Sequence, residues 1–198
     1  MKKIVDFATP EVVRGSFGYD SYLLYSALKA KGEDVMMLEN ATPLQIHKAG
    51  QEEADNWYIH YWSYPQKGMI KWAERNLIGE KKYIGYKPLI KKNNLPLADD
   101  INNELLLIGM ANLPNVLNEF QYGLMSDCDQ HLKGKGLDNV MPLFLSYGCP
   151  NLCEFCPIPP NRENEQPRRI LLSDDKIQTT LKRMRELGYN NIHFCDED

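Results

Sequence analysis

The sequence predicts an α/β protein whose N-terminal part is built on a parallel sheet. Along the first 125 residues, short apolar runs of strand length alternate with segments of helical periodicity. Residues 105–110 form a continuous apolar run, which is typical of a strand covered on both faces of a parallel sheet. We therefore expect a parallel, Rossmann-like sheet in this part of the chain.

The individual elements follow from local patterns. The first helix carries regularly spaced leucines and is expected to stop at Gly32. The predicted strands are residues 3–8, 35–38, 57–62, 83–86 and 105–110, and the predicted helices are residues 18–31, 66–77 and 115–124.

A second α/β unit is predicted downstream. Residues 141–146 read as a short buried strand. Ser173 is expected to cap a helix over residues 174–187 that ends at Gly188. Residues 191–198 are expected to form the next buried strand and its polar end. The residues expected on one face of the helix are Ile177, Leu181 and Met184.

Composition limits the classes of function. The chain has 198 residues, of which 43% are hydrophobic and 25% charged, as expected for a globular protein. No stretch approaches the ~20 apolar residues of a membrane span, and no signal peptide is recognised, so we expect a cytoplasmic protein without a membrane partner. The formal net charge of −4 argues against broad nucleic-acid binding.

Three cysteines in one short segment carry the most specific chemical signal. Cys149, Cys153 and Cys156 have the spacing C-x3-C-x2-C, and the glycine and prolines of residues 148–157 disfavour a helix there. Three thiolates can face one centre, and they are one fewer than a closed four-sulfur site needs. An iron–sulfur cluster held this way would keep one iron open to a small molecule.

This segment resembles the motif of the radical SAM enzymes, in which an aromatic residue precedes the last cysteine, as Phe155 does here. Residues 168–175 also resemble the run into that family's first barrel helix. The resemblance implies that the three cysteines hold a 4Fe–4S cluster, whose fourth iron binds S-adenosylmethionine. An electron donor such as flavodoxin or ferredoxin would reduce the cluster. Cleavage of S-adenosylmethionine would then give a 5′-deoxyadenosyl radical that abstracts hydrogen from an unknown substrate.

The resemblance also implies roles for three residues in S-adenosylmethionine binding. Phe155 would pack near the adenine. Many members hold the methionine amino group with a glycine-glycine-glutamate element after the second strand. This chain has Cys195-Asp196-Glu197 there, so Asp196 or Glu197 would take that role.

The alternative is a non-catalytic zinc- or cluster-binding module, or an inactive fragment. Zinc takes four ligands, and Cys195 or His193 could supply the fourth. Zinc sites usually pair cysteines as C-x2-C with a second pair downstream, and only Cys153 and Cys156 have that spacing here. The cluster is therefore the favoured interpretation. Cys128, in a polar stretch, is expected to be an incidental thiol.

The N-terminal layout resembles the cobalamin-binding-type domain that precedes the barrel in one radical SAM branch, with residues 18–35 matching its first helix and next strand. The cobalt-ligating D-x-H-x-x-G motif is not found after the first strand. A literal copy lies at residues 129–134, where His131 would be the ligand. Its position near the end of the domain argues against cobalamin as a cofactor.

We therefore expect three regions. Residues 1–125 would form the Rossmann-like, cobalamin-binding-type domain and residues 126–140 a linker. Residues 141–198 would form the first one-and-a-half βα units of a radical SAM core, a partial TIM-type barrel, because a complete barrel takes ~200 residues or more. A fragment of a longer reading frame, half of a split enzyme and a degenerate product are the three explanations. The fragment is favoured, because Asp198 falls where the strand should enter its next loop.

One segment, residues 67–92, is basic within this acidic chain. Lys67, Lys71 and Arg75 recur at intervals of four and form one helical stripe. The stripe could bind phosphate or RNA, since some radical SAM enzymes modify transfer RNA. A solvated helix face is the favoured interpretation, because surface lysines are common.

Overall fold

The computed structural model describes residues 1–7, 19–61, 64–85, 87–120, 140–143, 145–147 and 170–194. The strands are β1 (Lys2–Phe7), β2 (Val35–Ala41), β3 (Glu53–Tyr61), β4 (Ile78–Gly85), β5 (Val140–Leu143), β6 (Ser146–Tyr147), β7 (Ile170–Leu171) and β8 (Asn191–Phe194). The helices are α1 (Tyr19–Ala30), α2 (Pro43–Lys48), α3 (Lys67–Asn76), α4 (Lys87–Lys92), α5 (Asn103–Val116) and α6 (Asp174–Glu186), with 3-10 turns at Tyr64–Gln66 and Leu117–Glu119.

The first four strands form one parallel sheet in the order β2-β1-β3-β4. Lys2 pairs with Val35 on one side and with Asn56 on the other, so β1 is central. Because each parallel connection must cross a face of the sheet, a helix lies between successive strands. The α/β class and the parallel sheet predicted from the sequence are confirmed.

The helices cover the two faces of this sheet in separate layers. Successive β1 residues Ile4 and Val5 are both fully buried and belong to different apolar clusters, as the alternation of a strand requires. The cluster around Ile4 includes side chains of α1 and α5. The cluster around Val5 includes side chains of α2, α3 and α4.

Most early elements lie where the sequence predicted them. The first four predicted strands correspond to β1, β2, β3 and β4, and the predicted helices 18–31 and 66–77 correspond to α1 and α3. The short helices α2 and α4 were not predicted. In α2, a capping box supplies the signal: the Gln45 backbone N–H donates to the Thr42 hydroxyl, and the Gln45 side chain accepts from the Thr42 N–H.

The predicted strand at residues 105–110 is wrong, because this run lies inside helix α5. The Asn102 side chain accepts a hydrogen bond of 2.8 Å from the Leu105 N–H and begins the helix. The buried positions continue with helical spacing beyond the apolar run. They are Leu105, Leu106, Met110, Leu113 and Val116. The predicted helix 115–124 is also wrong, because α5 ends at Val116 and a 3-10 turn follows; residues 121–124 lie outside the described residues.

The downstream unit contains the predicted strand, helix and strand. β5 pairs in parallel with β8, and α6 lies between them in the chain. Ser173 occupies the N-cap position of α6, but its side chain makes no capping hydrogen bond, so the predicted cap is present in position only. Gly188 (φ 88°) follows the end of the helix in the left-handed conformation that favours glycine. The helix residues packed into the cluster shared with α1 and α5 include Ile177, Leu181 and Met184, as predicted.

Two details of this unit differ from prediction. The predicted strand 141–146 is divided, because β5 ends at Leu143 and the chain then enters β6, which pairs with β7. β8 was expected to be buried, yet Ile192 and Phe194 are 38% and 58% exposed. Among the described strands β8 pairs only with β5, so it is an edge strand there.

Helices α1 and α5 approach each other closely at Gly109. A Cβ atom at this position would lie 2.2 Å from the Leu23 carbonyl oxygen. The Ser26 hydroxyl donates to the Gly109 carbonyl at 2.8 Å, and the Asn112 side chain donates to the Ser26 carbonyl at 2.9 Å. A residue without a side chain is therefore required where the two helices cross.

We predict that Gly109→Ala destabilises the protein by about 1–3 kcal/mol, because overpacking outweighs the gain in helix propensity. Chemical denaturation measures the change. The control is Gly68→Ala in α3, where a Cβ atom would meet nothing within 4 Å; it should leave stability unchanged or raise it by up to about 1 kcal/mol. A Gly109→Ala variant as stable as the Gly68→Ala variant would contradict the described crossing.

Candidate functional site

The cysteine-bearing segment lies between two paired strands. Cys149, Cys153, Phe155 and Cys156 fall in residues 148–169, outside the described residues. The strands on either side pair antiparallel, with Tyr147 opposite Ile170. The Leu172 N–H also donates to the Leu145 carbonyl at 2.8 Å. The two residues that flank the segment 148–169, Tyr147 and Ile170, are therefore neighbours in the fold.

The parallel pair β5 and β8 brings the carboxyl ends of two strands together. Leu143, the last residue of β5, lies opposite Phe194, the last residue of β8. The chain beyond β5 leads through β6 into the cysteine segment, and the chain beyond β8 leads to Asp196 and Glu197. Those two carboxylates lie outside the described residues. Within the described residues, the strand ends that precede these two segments therefore lie side by side.

Of the other candidate metal ligands, only His193 belongs to a described element. Cys128, His131 and Cys195 lie outside the described residues, and His193 is in β8, opposite Pro142. Within the described ranges, no three His, Cys, Asp or Glu side chains are grouped as a metal site.

A second candidate site lies at the carboxyl edge of the first sheet. The strand order places the switch between β1 and β3, because their connections lead to opposite sides of the sheet. Asp6 and His60 occupy the carboxyl ends of these two strands, and the Asp6 carboxylate lies 3.0 Å from His60 Nδ1. The His60 side chain is only 2% exposed, and that of Asp6 16%. A buried, oriented imidazole therefore lies at the point where α/β sheets bind their ligands.

Opposing effects set the charge of His60. Burial lowers its pKa, but the hydrogen bond and the charge of Asp6, together with the charge of Asp20 in the first turn of α1, outweigh burial and raise it above the usual 6.5. Gly85 completes the surroundings: its φ is 109°, and a Cβ atom there would lie 3.2 Å from His60 Cδ2. Glycine thus lets the end of β4 lie against the imidazole.

Sequence reasoning missed this pair. Asp6 and His60 each fall near the end of a predicted strand, and the switch-point rule would have placed both ends at one edge. The order of the strands was not predicted, and it is needed here because β1 pairs with β3 although β2 lies between them in the sequence.

Comparisons with known proteins add no family assignment. No protein-family model, curated protein or solved structure matches this chain. In the part of the chain that the structure describes, no helix is both long and apolar enough to cross a membrane. The resemblance drawn above therefore rests on the chain's own residues.

The Asp6–His60 pair predicts a pH dependence of stability. Because the pKa of His60 in the folded protein lies above 6.5, protonated His60 stabilises the fold. This contribution is fully present below pH 6.5 and is lost as the pH rises through the raised pKa. We predict that stability falls on going from about pH 6 to pH 9, and that Asp6→Asn reduces this fall. Urea denaturation across this range measures both. An Asp6→Asn variant with the wild-type pH dependence would contradict the assignment.

Proposed function

We propose that this chain is a radical SAM protein that binds a 4Fe–4S cluster through Cys149, Cys153 and Cys156, and S-adenosylmethionine at the cluster's open iron. A non-catalytic zinc- or cluster-binding module is the rival. A zinc module differs in the metal that the cysteines hold, so metal content separates it from the proposal. A non-catalytic cluster module would hold the same iron and would differ in not binding S-adenosylmethionine.

One observation carries the proposal: the chain leaving the carboxyl end of β5, in a parallel βαβ unit, leads through the short strand β6 into the cysteine segment. β5, α6 and β8 form that unit, and Leu143 lies opposite Phe194 at its carboxyl edge. Ligand sites in parallel α/β folds are built from the loops at this edge. The motif spacing indicates the chemistry, and the parallel unit beside it supports a ligand site near this edge.

The donor set suits an iron–sulfur cluster. Three thiolates within C-x3-C-x2-C can each bind one iron, and the pairing of β6 with β7 closes the ends of the segment that carries them. A tetrahedral zinc site would need a fourth ligand from the chain, which the motif does not contain. When bound, the cluster with S-adenosylmethionine would supply one-electron cleavage to a 5′-deoxyadenosyl radical.

The remaining site residues would bind and orient S-adenosylmethionine. Phe155, beside the last cysteine, would pack against the adenine. Asp196 or Glu197 would accept hydrogen bonds from the methionine amino group. The register of β5 and β8 supports this role, because the chain leading to Asp196 leaves β8 beside the point where the chain leading to the cysteines leaves β5. A flavodoxin or ferredoxin would serve as electron donor, and the 5′-deoxyadenosyl radical would abstract hydrogen from the substrate.

We also propose that β5 and β8 open a partial TIM-type barrel. Parallel sheets are almost always covered on both faces, and a two-stranded sheet is marginal by itself. Ile192 and Phe194 of β8 are 38% and 58% exposed. Further strands and helices packed beyond β8 would bury these side chains.

Anaerobic reconstitution with iron and sulfide tests the cofactor. We predict about four irons and four sulfides per chain with a broad visible absorption, and we predict that Cys153→Ala loses most of both. The control is Cys128→Ala, which removes a thiol outside the motif and should keep the full content. One tightly held zinc per chain with no iron, or equal iron in both variants, would contradict the proposal.

A further inference from the structure

Three helices that are separated in the sequence share one face of the first sheet. Ile46 of α2, Ile70 of α3 and Leu89 of α4 are all buried in the same apolar cluster. This cluster includes Val5 of β1 and Trp57 of β3, so the three helices form one layer on that face. We call the outer surface of α2, α3 and α4 the basic layer.

The charge of the basic layer is opposite to that of the chain as a whole. Its three helices carry seven cations and one carboxylate, a formal charge of +6, whereas the whole chain carries −4. The cations are Lys48, Lys67, Lys71, Arg75, Lys87, Lys91 and Lys92, and the carboxylate is Glu74. The helices of the opposite layer, α1 and α5, contain Asp20, Glu104 and Lys29, a formal charge of −1. Positive charge is therefore concentrated on one face of the sheet.

The stripe on α3 is the accessible centre of this charge. Lys67, Lys71 and Arg75 are all exposed and follow one another every four residues, a rise of about 6 Å each along the helix axis. Glu74, the carboxylate of this layer, accepts a hydrogen bond from the Tyr83 hydroxyl. Lys87, Lys91 and Lys92 of α4 each have a polar or electrostatic partner within the protein. Substitutions on α3 therefore change the charge of the layer without removing those interactions.

We infer that the basic layer binds the phosphate backbone of a nucleic acid. The cations extend over three helices, which suits a long polyanion better than a single small anion. From the sequence alone, a solvated helix face is the favoured interpretation, because surface lysines are common and the rest of the chain is acidic. The fold places the α4 lysines of the basic segment on the same face of the sheet as the α3 stripe and adds Lys48 of α2, and this concentration of positive charge favours a polyanion. The inference does not depend on the cysteines or on the proposed cofactor.

The scarcity of exposed apolar side chains on the basic layer disfavours a protein or a membrane as its partner. Among the exposed large hydrophobic side chains of the described residues, only Leu44 belongs to these three helices. Protein interfaces usually need a cluster of buried aromatic or apolar anchors, and helices at a membrane surface need an apolar face. Trp72 is half-buried with its ring edge-on to Phe7 at 6.4 Å. Binding would therefore be dominated by phosphate contacts and depend little on base sequence.

Fluorescence anisotropy with a labelled single-stranded RNA, and with DNA of the same sequence, tests the inference. The variant is Lys67→Glu/Lys71→Glu/Arg75→Glu. The matched control is Lys176→Glu/Lys182→Glu/Arg185→Glu, which makes the same charge change at exposed positions of α6. Thermal unfolding and circular dichroism check that both variants keep the wild-type fold.

We expect the α3 variant to weaken binding by about tenfold or more at low salt, while the α6 control changes it by less than about threefold. The slope of log K against log salt should also fall by about 2 in the α3 variant, since three phosphate contacts contribute about 0.7 each for single strands. Tighter binding of RNA than of DNA would identify RNA as the partner, and equal binding would support recognition of the backbone alone.

Three outcomes would overturn the inference. The first is no binding of either nucleic acid by the wild-type protein at low ionic strength. The second is equal loss of binding in the α3 and α6 variants, which would reflect total charge. The third is binding to anionic lipid vesicles without binding to nucleic acid, which would assign the layer to a membrane surface.

Discussion

Parallel strand pairing is the constraint on which the rest of the structure depends. A chain that pairs its strands in parallel must cross a face of the sheet between them, so helices collect in layers and strand ends collect at one edge. In the first sheet, β1 lies between β2 and β3, and its residues Ile4 and Val5 anchor the two apolar clusters. The same pairing joins β5 to β8 in the downstream unit.

This arrangement assigns chemistry and charge to different parts of the molecule. The carboxyl edge of the first sheet carries Asp6 and the buried His60, and the carboxyl edge of the second unit leads into the cysteine segment. The basic layer lies on a helical face, with its cations on α2, α3 and α4. The proposed cofactor site involves the segment between β6 and β7, and the proposed polyanion site involves α2, α3 and α4, so the two proposals use different residues.

The sequence predicted those features that depend on nearby residues. The cysteine motif is a local signal of this kind, since Cys149, Cys153 and Cys156 lie within eight residues, and the cluster that it indicates stays a prediction. The run 105–110 was misread because six apolar residues suit a buried strand as well as a helix; Asn102 and the later buried Leu113 reveal the helix. The Asp6–His60 pair and the basic layer join residues distant in the chain, so they required the order of the strands.

The central claim is that the cysteines hold a cluster with one iron open to S-adenosylmethionine. Electron paramagnetic resonance tests it directly: the reconstituted protein is reduced without oxygen, and spectra are recorded with and without S-adenosylmethionine. We expect the signal of a reduced 4Fe–4S cluster whose g values and line shape change when S-adenosylmethionine is added, since ligation alters the electronic environment of the cluster. A cluster signal that is identical in both spectra would contradict the claim.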